Sequence, residues 1–211
     1  MLQRGKKRKA SKSMNYGELS SKVDILEFTE TSDSVYEWLA IKTVWAKIEH
    51  QLISVIFSKH GVTARSAKLS MHSRPELTLH NALASPKSGH FFVTDINRDV
   101  PGVDTVSVAI IEPIECKIER VETVRGANNR PQVTKLSPLT FPGYITEKYI
   151  RQTQNEPMSY SETRYVLVTP KVIEIKTGDI VDVGGLKYEM VIPHLLDPHK
   201  NEFEILRRSD N

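Results

Sequence analysis

Three residues in one short stretch have the types and spacing of a metal-binding loop: His194, Asp197 and His199. Imidazole and carboxylate both ligate divalent ions. The same spacing beside Pro193 and Pro198 is also ordinary turn chemistry, and a solvated polar loop is the expectation. The other histidines (His50, His60, His72, His80 and His90) are scattered, with no nucleophile at a fixed spacing. The single cysteine, Cys116, cannot make an internal disulfide and fits a reducing, intracellular site of synthesis. It lies in an alternating apolar and polar run, so a buried structural thiol is expected; a reactive one needs a basic neighbour to lower its pKa. No GxxxxGK phosphate loop, HExxH helix or paired CxxC occurs. The sequence therefore offers no catalytic residue, cofactor or metal ligand set, and enzyme is the weakest function class.

Charge is the second chemical signal. Arg4, Lys6, Lys7, Arg8, Lys9 and Lys12 stand in the first thirteen residues with no acid among them. Without these six, 23 basic groups face 26 acidic ones, so the net +3 of the chain hides a body of about −3. A run of this kind cannot bury apolar surface and is expected to be disordered when alone. It reads either as a solubilising tail or as a contact for phosphates or an acidic groove on a partner. No apolar segment follows it as in a secretory signal, and no apolar run approaches the ~20 residues of a membrane helix.

The elements that would carry these groups are almost all strands. Residues 22–28, 44–49, 64–73, 90–96, 105–121 and 164–169 show the period-two alternation of half-buried β-structure. Residues 35–48 read as two strands or one long bent strand, and 50–59 as the one short helix, closed by Gly61. Residues 29–34 and 152–161 read as polar loops, and 75–88 as a loop with some apolar anchoring by Leu77, Leu79 and Leu83. The firmest local pattern is at 176–208: a turn at 177–179, a strand, a Gly184-Gly185 hairpin turn, a strand ended by Pro193, and a third strand from Phe203. Trp38, Trp45 and Tyr188 are read as core anchors. The Gly-, Asn- and Pro-rich segment 126–138 is the best boundary. The fold class is mainly β: two small antiparallel β-barrel-like or sandwich-like units with long loops and at most a short helix. The division is a basic tail at 1–13, a first β domain at 14–125, a linker at 126–138 and a second β domain at 139–211.

Residues 14–49, with Gly17-Glu18-Leu19, Lys22-Val23-Asp24-Ile25 and Val44-Trp45-Ala46-Lys47-Ile48-Glu49, resemble the opening of tailed-phage head-tail joining proteins, the head-closure, stopper and adaptor proteins of the neck. The strand at 64–73 and the glycine-led aromatic strand at 89–96 are similar to their later pattern. Gly178-Asp179-Ile180 through Gly184-Gly185-Leu186-Lys187-Tyr188 is similar to the small β domains of phage neck proteins. The chain departs from the family in length, being about twice a usual member, and in its basic tail. The resemblance implies a structural virion protein of the neck, made in the host cytoplasm. Its implied partners are further copies in a cyclic ring, portal or adaptor proteins and tail proteins, with packaged double-stranded DNA as a further candidate and no membrane. The competing reading is a non-enzymatic nucleic-acid-binding β-barrel that uses the basic tail; the acidic body and the lack of clustered exposed aromatics speak against it.

Overall fold

Alternating apolar side chains make strands of nearly every described segment of the computed structural model, which covers residues 16–54, 64–125, 131–151 and 161–208. After a single 3-10 turn at Tyr16–Glu18 come β1 (Ser21–Ser32), β2 (Val35–Ser54), β3 (Ala64–His72), β4 (Ala82–Ser85), β5 (Gly89–Asn97) and β6 (Val103–Ile110). These six pair antiparallel in the order β1-β4-β5-β6-β3-β2, and β2 pairs back onto β1. The sheet thus closes into a six-stranded barrel. Val23, Ile25, Val44, Ala67, Leu69, Met71, Leu83, Phe91, Val106 and Val108 fill it.

The chain then passes through β7 (Ile114–Ile118), β8 (Val121–Arg125), β9 (Pro131–Lys135), β10 (Leu139–Arg151), β11 (Ser161–Pro170), β12 (Ile180–Val183), β13 (Leu186–His194) and β14 (Lys200–Arg207). Strands β10-β11-β14-β13-β12-β7 form a second antiparallel ring of six, closed by β7 on β10. Cys116, Ile118, Phe141, Leu167, Val181, Tyr188, Met190, Phe203 and Ile205 fill this one. The mainly β, barrel-like architecture is as the sequence reads. Among the described residues β8 and β9 pair only with each other, as a two-stranded ribbon.

Hairpin β1–β2 joins the two barrels. It is longer than the first barrel requires, and Phe28 and Tyr36 on its far half pack against the second core. A single parallel bridge, Val35 to Thr140, links β2 to β10, and Thr140 N–H donates to Ser34 O at 2.8 Å. Ser34 itself sits at φ 60°, in the tight turn of the hairpin.

Several sequence readings change here. Residues 29–32, read as loop, continue β1, because β2 pairs with them to the turn. Residues 50–54 of the expected helix belong to β2, where flanking β3 supplies the ladder; 55–63 lie outside the described residues. β4 falls inside the expected loop at 75–88, its Ala82 and Leu83 buried between β1 and β5. The two cores divide the chain between β6 and β7, and the 126–138 segment holds β9 rather than a bare linker. β13 runs through Pro193 to His194, since β12 stops opposite Glu189 and no ladder partner waits on that side.

Gly143 on β10 marks the tightest point of the second core. A Cβ there would lie 2.8 Å from Cys116 Sγ and 2.9 Å from Leu167 Cδ1, both in fully buried side chains. Overpacking a filled core typically costs about 1–3 kcal/mol. Gly143→Ala is therefore expected to lower the unfolding free energy by that amount, and chemical denaturation of the pair of proteins measures it.

Candidate functional site

The turn before β5 leads to a buried polar pair between the barrels. Gly89 has φ 79°, and the Glu112 carboxylate fills the space a Cβ would take. Glu112 Oε1 accepts from His90 N–H at 3.1 Å. This places the His90 ring between the barrels, where its Nε2 is 2.8 Å from the Tyr144 hydroxyl of β10. Phe92, Ala109, Tyr144, Val166 and Val168 form a third apolar cluster around the pair, contributed by β5, β6, β10 and β11. Trp38 extends it towards Phe28, their ring centres 4.9 Å apart.

Burial keeps the two polar groups of this seam in their neutral forms. His90 is only 7% exposed, and burial pushes its imidazole down to about 4. Burial likewise pushes the Tyr144 phenol well above the ordinary tyrosine range. Near neutrality both groups are uncharged, and a hydrogen bond joins them. Cys116 is equally quiet: it is fully buried and burial raises its thiol to about 12. Its reading as a structural thiol fits that environment.

The surface beside the seam is more open. A cleft of about 360 Å³ lies between the barrels, with Phe28, Ile41, His80, Asn81, Lys171 and Val172 among its lining. Next to it the β13–β14 loop displays Leu195 and Leu196, the latter with 101% of its surface exposed. The loop is held from below: Lys171 Nζ donates to Leu195 O at 2.8 Å and to Asp197 O at 2.9 Å. Asp197 Oδ1 accepts from the backbone N–H of His199 at 2.8 Å and of Lys200 at 3.3 Å. Two leucines are thus presented to solvent on a braced loop.

The three residues of the suspected ligand loop go separate ways. His194 Nε2 meets Glu204 Oε1 at 3.0 Å, Asp197 caps the backbone, and His199 turns to His80 of the first barrel. Among the described residues no group of three or more His, Cys, Asp or Glu is placed to hold a metal. The basic residues Arg4, Lys6, Lys7, Arg8, Lys9 and Lys12 lie outside the described residues. Tyr188 is 5% exposed and packs edge-on against Tyr165 in the second core. Trp45, read as a core anchor, is instead 52% exposed. Val44 and Ala46 take the inward positions of β2, so the period of two sends Trp45 outward, where Lys22 Nζ lies 5.4 Å from its ring centre. The pairings His90–Tyr144 and His80–His199 were beyond sequence reasoning, their partners being 54 and 119 residues apart. Comparison with protein families, curated proteins and solved structures found no match to this chain.

Two outcomes are expected from this geometry. Trp45→Ala should cost no more than about 1 kcal/mol, the scale of an exposed cation–π contact, against the ~3–5 kcal/mol of a buried aromatic; thermal melting distinguishes the two. His90 should make stability pH-dependent with a definite sign. Its folded pKa is near 4 and its ordinary value 6.5, so only the unfolded chain binds the proton in that window. Stability is then full above pH 6.5 and falls by about 1.4 kcal/mol per pH unit as acid is added, until pH 4. Denaturant midpoints at pH 7 and pH 5 should separate more for the native chain than for His90→Gln.

Proposed function

We propose that the chain is a structural virion protein of the tailed-phage neck, one subunit of a ring that joins the portal or head to the tail and helps close or line the DNA channel. The observation that carries this reading is the fusion of two closed six-stranded barrels through one shared hairpin. Ring closure leaves few strand edges open, so copies can stand side by side as a wall with little edge-to-edge pairing. The long β10–β11 hairpin and the braced Leu195–Leu196 loop are the kind of projections a subunit uses to reach its neighbours. Solvent-exposed leucines held by backbone hydrogen bonds carry little value inside a monomer and more at a contact. The residue pattern at 14–49 and 178–188 supplies the family direction.

In this reading the mechanism is steric. The barrels form the rigid wall, loops narrow the channel, and the basic tail meets packaged DNA or an acidic groove on a partner.

The test is where the protein goes. It should copurify with intact particles and restore tail joining to heads that lack it, with a chain beginning at Met14 folding normally but incorporating less well. Leu196→Asp should leave the melting temperature within about 1 °C, since an exposed side chain contributes little to stability, yet reduce incorporation severalfold. A protein absent from particles that shifts labelled DNA in a steeply salt-dependent way would sink the neck reading in favour of a nucleic-acid binder.

A further inference from the structure

We propose that His80 and His199 form a binding site for a divalent transition-metal ion that clamps the two barrels together. His80 lies between β3 and β4 of the first barrel, and His199 in the β13–β14 loop of the second. His80 Nε2 and His199 Nδ1 are 3.4 Å apart, and the ring centres 4.9 Å apart. Two imidazole nitrogens bound about 2.0–2.1 Å from a tetrahedral ion stand roughly 3.3 Å from each other, with ring centres about 5 Å apart. A straight N–H···N hydrogen bond of the observed length would hold the centres roughly 5.7 Å apart. The rings are closer than that and tilted by 65°, so the contact is not a straight hydrogen bond, and its nitrogen and ring-centre spacings match those of two imidazoles on one ion.

Both ligands are set in place by other interactions. Asp197 and Lys171 brace the loop that carries His199. On the other side, Asn81 Oδ1 accepts from Thr78 N–H and Oγ1–H at 2.8 Å each, while its Nδ2 donates to Leu26 O at 3.1 Å, fixing the turn around His80. The imidazole pair is open to solvent, which gives an ion its entry path. Asp197 lines the same small cavity as His199 and adds negative charge there. The opposing cation, Lys200, is answered by Glu202 at 2.8 Å.

With two protein ligands the remaining positions go to water, so the affinity is micromolar rather than that of a structural zinc centre. Imidazole ligands suit nickel, copper and zinc. The ion would act as a removable staple between segments 119 residues apart. This site is independent of the neck reading and stands or falls without it.

Chelator-treated full-length protein is titrated with zinc chloride and with nickel chloride by calorimetry, and its melting temperature is followed in parallel. One ion per chain and a higher melting temperature are expected. His80→Ala and His199→Ala should each weaken binding at least tenfold and abolish the thermal shift, while His194→Ala should leave both unchanged. The metal-free melting curves report that the variants fold. No saturable binding below about 1 mM, or binding that survives either His80→Ala or His199→Ala, overturns the proposal.

Discussion

Sheet closure is the constraint on which this molecule depends. Each strand of the two rings has neighbours on both sides along part of its length, and there main-chain donors and acceptors are matched within the barrels rather than left at an edge. A closed ring also has to bend, and the bending is visible as register shifts in β1–β2, β5–β6 and β13–β14. The shift between Ile25 and Leu26 matters most. It turns two consecutive apolar residues inward and re-aims the rest of hairpin β1–β2, which then leaves the first barrel and lays Phe28 and Tyr36 on the second core.

The seam follows from that overlap. Because the hairpin spans both cores, β5 and β6 of one barrel come to rest against β10 and β11 of the other, and the contact between them is largely apolar. A polar pair in such a place is tolerated only if it is neutral and hydrogen-bonded, and His90 with Tyr144 meets both conditions. The joint is consequently specific: an apolar cluster supplies attraction, and the His90–Tyr144 hydrogen bond adds to the Val35–Thr140 bridge in setting the register of the two barrels.

Strand content was legible from alternation alone, and the Gly184-Gly185 turn appears with both glycines at positive φ, as a two-residue hairpin demands. Side-chain size misled where periodicity did not. On β2 the face holding Val44 and Ala46 competes with the face holding Thr43, Trp45 and Lys47, and polarity should have placed the tryptophan outside. β4 escaped notice because four residues among turn formers make no period, yet the ring cannot close without it. Segment 126–138 looked like a linker because a hairpin and a linker share Gly, Asn and Pro. The histidine pairings were illegible in principle, since only the three-dimensional juxtaposition of the barrels creates them.

The order of the barrels along the chain has a kinetic consequence. Strands β1 to β6 complete the first ring before β7 is reached, so a chain emerging from the ribosome can finish one barrel while the second is still being translated. During that interval the far half of hairpin β1–β2 has no second core to cover, and Phe28 and Tyr36 stand in water as an apolar template. The early product therefore carries a ready landing surface, on which β7 and then β10, pairing beside the hairpin turn, come to rest. Vectorial synthesis thus turns one overlong hairpin into a scaffold on which the later half of the protein is nucleated.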